Sequence, residues 1–200
     1  MRPSTGPVWR SAQLAVLAAR GPVLLHCPTV GVTGERSGFA RFAALPADEC
    51  ERALLACCAA PHWAAAVTAA RPYRDADDLL ARADALLAET DPADVDAALA
   101  GHPRIGERAD GDGQAARWSR AEQSGARDPA RAQELVDANR AYEERFDRVF
   151  LIRAAGRSAD EVLAELRRRL GNDDATEEAE VRRELRGITA GRLRVLVGEP

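Results

Sequence analysis

Lysine is absent: all 28 members of the Lys and Arg complement are arginine, which excludes catalysis through a lysine imine. Histidine is scarce. His26, His62 and His102 stand far apart with no H-x-x-x-H relation, so no metal site is expected. The four cysteines, Cys27, Cys50, Cys57 and Cys58, make no C-x-x-C pair. Cys50 and Cys57 share one helix face, and a bridge between adjacent Cys57 and Cys58 would be strained. All four read as reduced, small hydrophobes, not as a disulfide framework. No apolar run approaches the ~18 residues of a membrane span. Ser11–Ala19 has the apolar character of a signal segment, but Arg20, Gly21 and Pro22 interrupt it and no cleavage site follows. A net charge of −4 argues against a nucleic-acid partner. The expected setting is the cytosol, with neither nucleic acid nor membrane as partner.

Sustained period-two alternation is missing as well, and what remains is helical. In LPADECERALLACC, Pro46 stands near a first turn, with Asp48 and Glu49 close to the positive helix end. Cys50, Leu54, Leu55, Cys57 and Cys58 follow as an apolar stripe. Further helices open at Pro61, at Asp75 and at the Asp91-Pro92 pair, and another is expected to start at Ser119. The longest expected helix carries Leu135, Asn139, Tyr142 and Phe146, and ends near Asp147, because VFLIRAAG tolerates extended backbone. Ser158 with Glu161 forms a capping box, and Asp174 with Glu177 repeats the relation. The fold class is all-α: a compact single domain of about eight helices over residues 38–198. Met1–Ser37, with Pro3, Pro7, Pro22 and Pro28 and no sustained period, reads as a poorly ordered extension.

One stretch breaks the pattern: GHPRIGERADGDGQAARWSRAEQSGA, Gly101–Ala126. His102 follows a helix end and precedes Pro103. It reads either as an imidazole capping the carboxyl end or as a proton-exchanging group stiffened by the proline. Ser119 and Glu122 read either as a capping box or as polar groups facing a substrate, with Gln123 adding a second polar group. Trp118 is either a hydrophobic staple or a pocket wall. Asn139 and Tyr142 suit buried hydrogen bonds between helices.

HPRIG at His102–Gly106, WSRAEQSGA at Trp118–Ala126, the run from Asn139 to Asp173 and a final ITAGRL occur in this order. Together with FARFAALPADECERALLACC near the start, they resemble the 2-oxo-4-hydroxy-4-carboxy-5-ureidoimidazoline (OHCU) decarboxylase family over Gly38–Val197. Each motif is weak alone; their ordered combination is specific. The resemblance implies an all-α fold, usually a homodimer, with no metal and no organic cofactor. It implies loss of CO2 from a small anionic ureidoimidazoline to give (S)-allantoin in urate breakdown. His102 matches the catalytic acid/base, and Glu122 a catalytic carboxylate. Pro103, Ser119 and Gln123 match substrate-contacting positions. Phe150, Leu151, Ile152, Arg153 and Ala154 match a stretch whose backbone faces substrate. Arg192, in AGRL, matches an arginine that meets it. N–H groups of a helix starting at Ser119 would favour the anion.

Two departures stand out. Asp147 and Arg148 replace residues that in the family are often Gly and an apolar or aromatic residue, and Arg153 stands where a small or sulfur-bearing one is frequent. The competing reading is a helical interaction module or an inactive relative. In that case His102, Glu122 and Arg192 would point to separate surfaces.

Overall fold

The computed structural model describes residues 37–107, 111–126 and 128–198. His26, Cys27 and the expected N-terminal extension up to residue 36 lie outside these. The described residues are all-helical: nine α-helices, one 3-10 turn and no strand. In chain order they are α1 (Gly38–Ala43), α2 (Ala47–Cys57), α3 (Pro61–Ala69), α4 (Ala76–Ala88), α5 (Pro92–Ala100) and α6 (Gln114–Glu122). The 3-10 turn Ser124–Ala126 precedes α7 (Ala132–Phe146), α8 (Ala159–Arg169) and α9 (Asp174–Leu196).

The caps explain most of the boundaries. Pro61 and Pro92 sit in the first turns of α3 and α5, where a missing N–H costs nothing. The Asp75 carboxylate accepts the Asp78 N–H at 2.8 Å and starts α4. Ser158 and Glu161 form the complete reciprocal box at the head of α8. Asp147 ends α7 in the left-handed region, at φ 52°, so the helix stops where VFLIRAAG begins.

Three expectations are corrected. Ser119 does not start a helix: α6 begins at Gln114, after Gly113, and Ser119 and Glu122 lie in its last turn. Ser-x-x-Glu places two side chains on one helix face anywhere along a helix, so the spacing alone does not mark a start. The head of α9 is shifted by one residue, with Asp173 accepting the Thr176 N–H at 2.7 Å. Its Glu177 is instead drawn into the interior. The longest helix is α9, at 23 residues against 15 for α7, because the chain stays helical through Gly187 and Gly191.

Two buried clusters hold the helices together. The larger gathers Leu54, Trp63, Val67, Leu79, Leu185 and Leu193 from α2, α3, α4 and α9. Burial of each large side chain contributes roughly 1.5–3 kcal/mol. The Trp63 indole N–H also donates to the Ala83 carbonyl at 2.9 Å. Cys50, Cys57 and Cys58 are buried free thiols in this cluster. The smaller cluster gathers Leu135, Tyr142, Phe150, Ile152, Val162 and Leu166 from α7, α8 and the segment between them. That segment, residues 149–154, is not helical. Leu151 packs into the larger cluster, while Phe150 and Ile152 pack into the smaller one. Alternate side chains of one extended stretch thus stitch the two cores together.

Candidate active site

The last turn of α5 fixes His102. Its backbone N–H donates to the Leu99 carbonyl at 2.9 Å, and its Nδ1 lies 2.8 Å from the Ala98 carbonyl oxygen. A carbonyl only accepts, so Nδ1 carries the hydrogen and Nε2 of the neutral ring keeps its lone pair. Nε2 is buried and has no hydrogen-bond partner among the described residues. The capping reading of His102 is seen directly, with one ring nitrogen on the helix end, while the other has no partner among the described residues.

Burial holds the His102 pKa below the usual 6.5, aided by the Arg192 guanidinium; the Ala98 carbonyl and Glu122 pull the other way. Below pH 6.5 the unfolded chain takes up a proton that the folded ring resists, so His102 removes stability as pH falls through its folded value. Above that value Nε2 is a free base. NMR titration of the ring is expected to give a midpoint below 6.5. Glu122→Gln is expected to shift it lower still, since a charge that favours imidazolium is lost. A midpoint above 6.5 in the folded protein would contradict the burial seen here.

The loop after His102 is tied down from two sides. The Gly106 N–H donates to Gln123 Oε1 at 3.2 Å, and Asn139 Nδ2 donates to the Ile105 carbonyl at 3.0 Å. Gly106 has φ 91°, a conformation that strains any side-chain-bearing residue. Across from the loop, α6 and α9 meet through charge. Arg192 Nε and Nη2 donate to the two Glu122 carboxylate oxygens at 2.8 and 2.7 Å. Nη2 also donates to Ser119 Oγ at 3.1 Å, and Nη1 to the Cys57 carbonyl at 3.3 Å. This two-pronged pairing fixes the plane of the carboxylate as well as its position. Because α5 and α6 both end at the site, their negative ends face it. The helix N–H groups expected around Ser119 are absent from it, and Arg192 supplies positive charge instead.

Nine of the eleven anticipated residues line one small cavity of about 20 Å³: His102, Pro103, Ser119, Glu122, Gln123, Phe150, Leu151, Ile152 and Ala154. Arg153 and Arg192 line a neighbouring cleft of about 330 Å³, which shares Glu122, Ala154 and Ile188 with the cavity. His102 and Glu122 thus face one space, with Arg192 bonded to Glu122. The geometry that would have marked an interaction module, three groups on separate surfaces, is not found. Sequence reasoning missed Ile105 and Ile188 as cavity walls, although both lie inside the HPRIG and ITAGRL motifs. It left the role of Trp118 open; the ring is a wall of the cleft. Among the described residues no cluster of His, Cys, Asp or Glu is grouped to hold a metal ion.

A neutral imidazole base and an arginine-held carboxylate in a mostly apolar chamber suit proton transfer on a small polar molecule. A crystal structure of OHCU decarboxylase in the presence of (S)-allantoin is similar at TM-score 0.64 and 25% identity, covering 72% of this chain and 96% of that one. A crystal structure of (S)-allantoin synthase matches in fold at TM-score 0.60 and 15% identity, covering 78% of this chain and 52% of that one. Comparison with curated proteins gives no match. The family model for OHCU decarboxylase matches residues 43–194, which takes in every residue of the cavity and the cleft but Val195; the chain belongs to the OHCU decarboxylase family.

Proposed function

We propose that this protein is a carboxy-lyase that converts OHCU to (S)-allantoin and CO2 in urate catabolism, using no cofactor. The observation that carries the reading is that His102, whose Nε2 has no hydrogen-bond partner among the described residues, lines the same small cavity as Glu122. In the substrate the carboxyl-bearing carbon also carries a hydroxyl and adjoins a ring C=N bond. When the carbon–carboxylate bond breaks, its electron pair passes into that C=N bond, so the ring is its own electron sink. His102 Nε2 takes the hydroxyl proton as the new carbonyl forms. The ring nitrogen and the neighbouring carbon each gain a proton. Of these two, one balances the hydroxyl proton and one is taken from water, because the carboxylate leaves as neutral CO2. Delivery of the carbon-bound proton from one face gives the S product.

The remaining residues hold the ring. Glu122, fixed by Arg192, accepts from ring or ureido N–H groups. Gln123 has its carbonyl engaged by Gly106, so its amide N–H groups are left to donate. Pro103 and Ser119 complete the wall. The apolar walls from Phe150, Leu151 and Ile152 suit a carboxylate that loses its charge as it leaves. The side chain of Arg192 is directed to Glu122 and Ser119, so in this geometry it orients the carboxylate. The test is to generate OHCU in place from urate with the enzymes that precede it and to follow allantoin by circular dichroism. A faster rise of the S signal with this protein supports the reading; a rate no greater than spontaneous decay, ending in racemate, refutes it.

The family resemblance also motivates a homodimer in the cytosol, built on a domain of residues 38–198 behind the extension 1–37. Ser37 Oγ accepts the Ala40 N–H at 3.2 Å and caps α1 at the edge of that domain. Light scattering at micromolar concentration is expected to return twice the chain mass; the mass of a single chain would count against the dimer.

A further inference from the structure

We infer that the Arg153 side chain is a capture residue: it draws the substrate's carboxylate into the cleft leading to His102. This rests on the proposed decarboxylation and names a residue that its chemistry does not require. The whole chain carries a net charge of −4, so at long range it repels an anion. Neither α5 nor α6 helps, since both turn their carboxyl ends to the site. Charge must therefore come from side chains. Three charged residues line the cleft, Glu122, Arg153 and Arg192, a net of one positive charge. Arg192 is buried and committed to Glu122, Ser119 and the Cys57 carbonyl. Arg153 is exposed, and its guanidinium has no hydrogen bond or ion pair among the described residues.

The surroundings hold Arg153 in place without neutralising it. Its backbone N–H donates to Glu184 Oε2 at 2.9 Å, and that carboxylate is also paired with Arg183 at 3.2 Å. A Cβ placed on Gly187 would stand 3.8 Å from Arg153 Cδ, so the arginine stem lies over a bare patch of α9. Gly191, one turn on, has open space where a side chain would be. Trp118 forms another wall of the same cleft. A guanidinium here can grip a carboxylate with two parallel hydrogen bonds. It must also release it, because decarboxylation needs the carboxylate to lose charge in the apolar cavity beyond. The role is therefore in binding and approach, not in the bond-breaking step.

The experiment compares wild type with Arg153→Met, Arg153→Lys and Arg153→Glu, on OHCU generated in place, across ionic strength. Arg153→Met is expected to raise KM about twofold to fivefold at low salt with kcat within twofold, a span typical of one exposed charge pair. The difference should shrink at high salt, where the Debye length falls to ~3 Å. Arg153→Lys should recover most of the loss and Arg153→Glu should exceed it. Binding of allantoate, a stable anionic ureido acid, should weaken in Arg153→Met, while binding of neutral (S)-allantoin should not. An unchanged KM and salt dependence in Arg153→Met, or a fall in kcat alone, would overturn the inference. Absence of enantioselective allantoin formation by wild type would instead overturn the decarboxylase reading. In that event the allantoate comparison still decides whether Arg153 selects anions.

Discussion

Replacing His102 with asparagine should leave a folded protein that has lost roughly 10²–10⁴-fold in decarboxylation rate, the usual contribution of a general acid–base group. The two halves of the prediction come from the two ring nitrogens. Nδ1 bonds to the Ala98 carbonyl, and a side-chain amide can take over that helix cap at a cost of ~1 kcal/mol. Nε2, buried and without a partner among the described residues, has no substitute in an amide, which does not exchange a proton near neutral pH. Far-ultraviolet circular dichroism and a melting curve check the first half, and enantioselective allantoin formation checks the second. Glu122→Gln should lose less, because the amide keeps its length and one acceptor while loosening the hold of Arg192. A folded His102→Asn protein that works at the wild-type rate would show that the base lies elsewhere.

The largest effect on stability is expected away from the cavity, at Arg169. Its guanidinium is fully buried against an almost fully buried Glu177. Nε donates to Glu177 Oε1 at 2.9 Å, Nη1 donates to the Leu151 carbonyl at 2.8 Å, and the guanidinium carbon lies 4.7 Å from the Phe150 ring centre. Tyr142 and Asn172 also donate to Glu177. Arg169→Met leaves the Glu177 carboxylate inside without its countercharge, a change that typically costs about 3–5 kcal/mol. Chemical denaturation should show it as a lower midpoint. The double variant Arg169→Met with Glu177→Met should recover much of the loss, because an apolar pair of similar volume avoids the cost of burying two charges. A loss below about 1 kcal/mol in the single variant would mean that water reaches the site. Activity should fall along with stability, since Arg169 holds the carbonyl between Phe150 and Ile152.

The helical class was legible because apolar residues recur at helical spacing and because Asp75, Asp91-Pro92 and Ser158 announce their helices through local chemistry. The stop at Asp147 was legible because the VFLIRAAG that follows it tolerates extended backbone. Ser119 and Glu122 misled, since a capping box and two groups on one helix face share the same spacing. What settled their place was Arg192, 70 residues away from Glu122, and no local rule reports a partner at that distance. The Arg169–Glu177 pair stayed hidden in the same way: among so many arginines, only tertiary structure shows which one is buried. His102 stood out because His-Pro interrupts a helical run, yet the split use of its two nitrogens depends on where the Ala98 carbonyl points.

The bonds that orient Glu122 also set an order of assembly. Arg192 joins α9 to Glu122, Ser119 and Cys57 across sequence separations of 70, 73 and 135 residues. During synthesis His102, Glu122 and the residues 149–154 all leave the ribosome before the arginine that aligns the carboxylate. Closing such long loops is slow compared with forming any one helix. A nascent chain can therefore hold every other part of the candidate site and still lack the arginine that orients the Glu122 carboxylate, so on the proposed function competence would arrive with the last turns of α9.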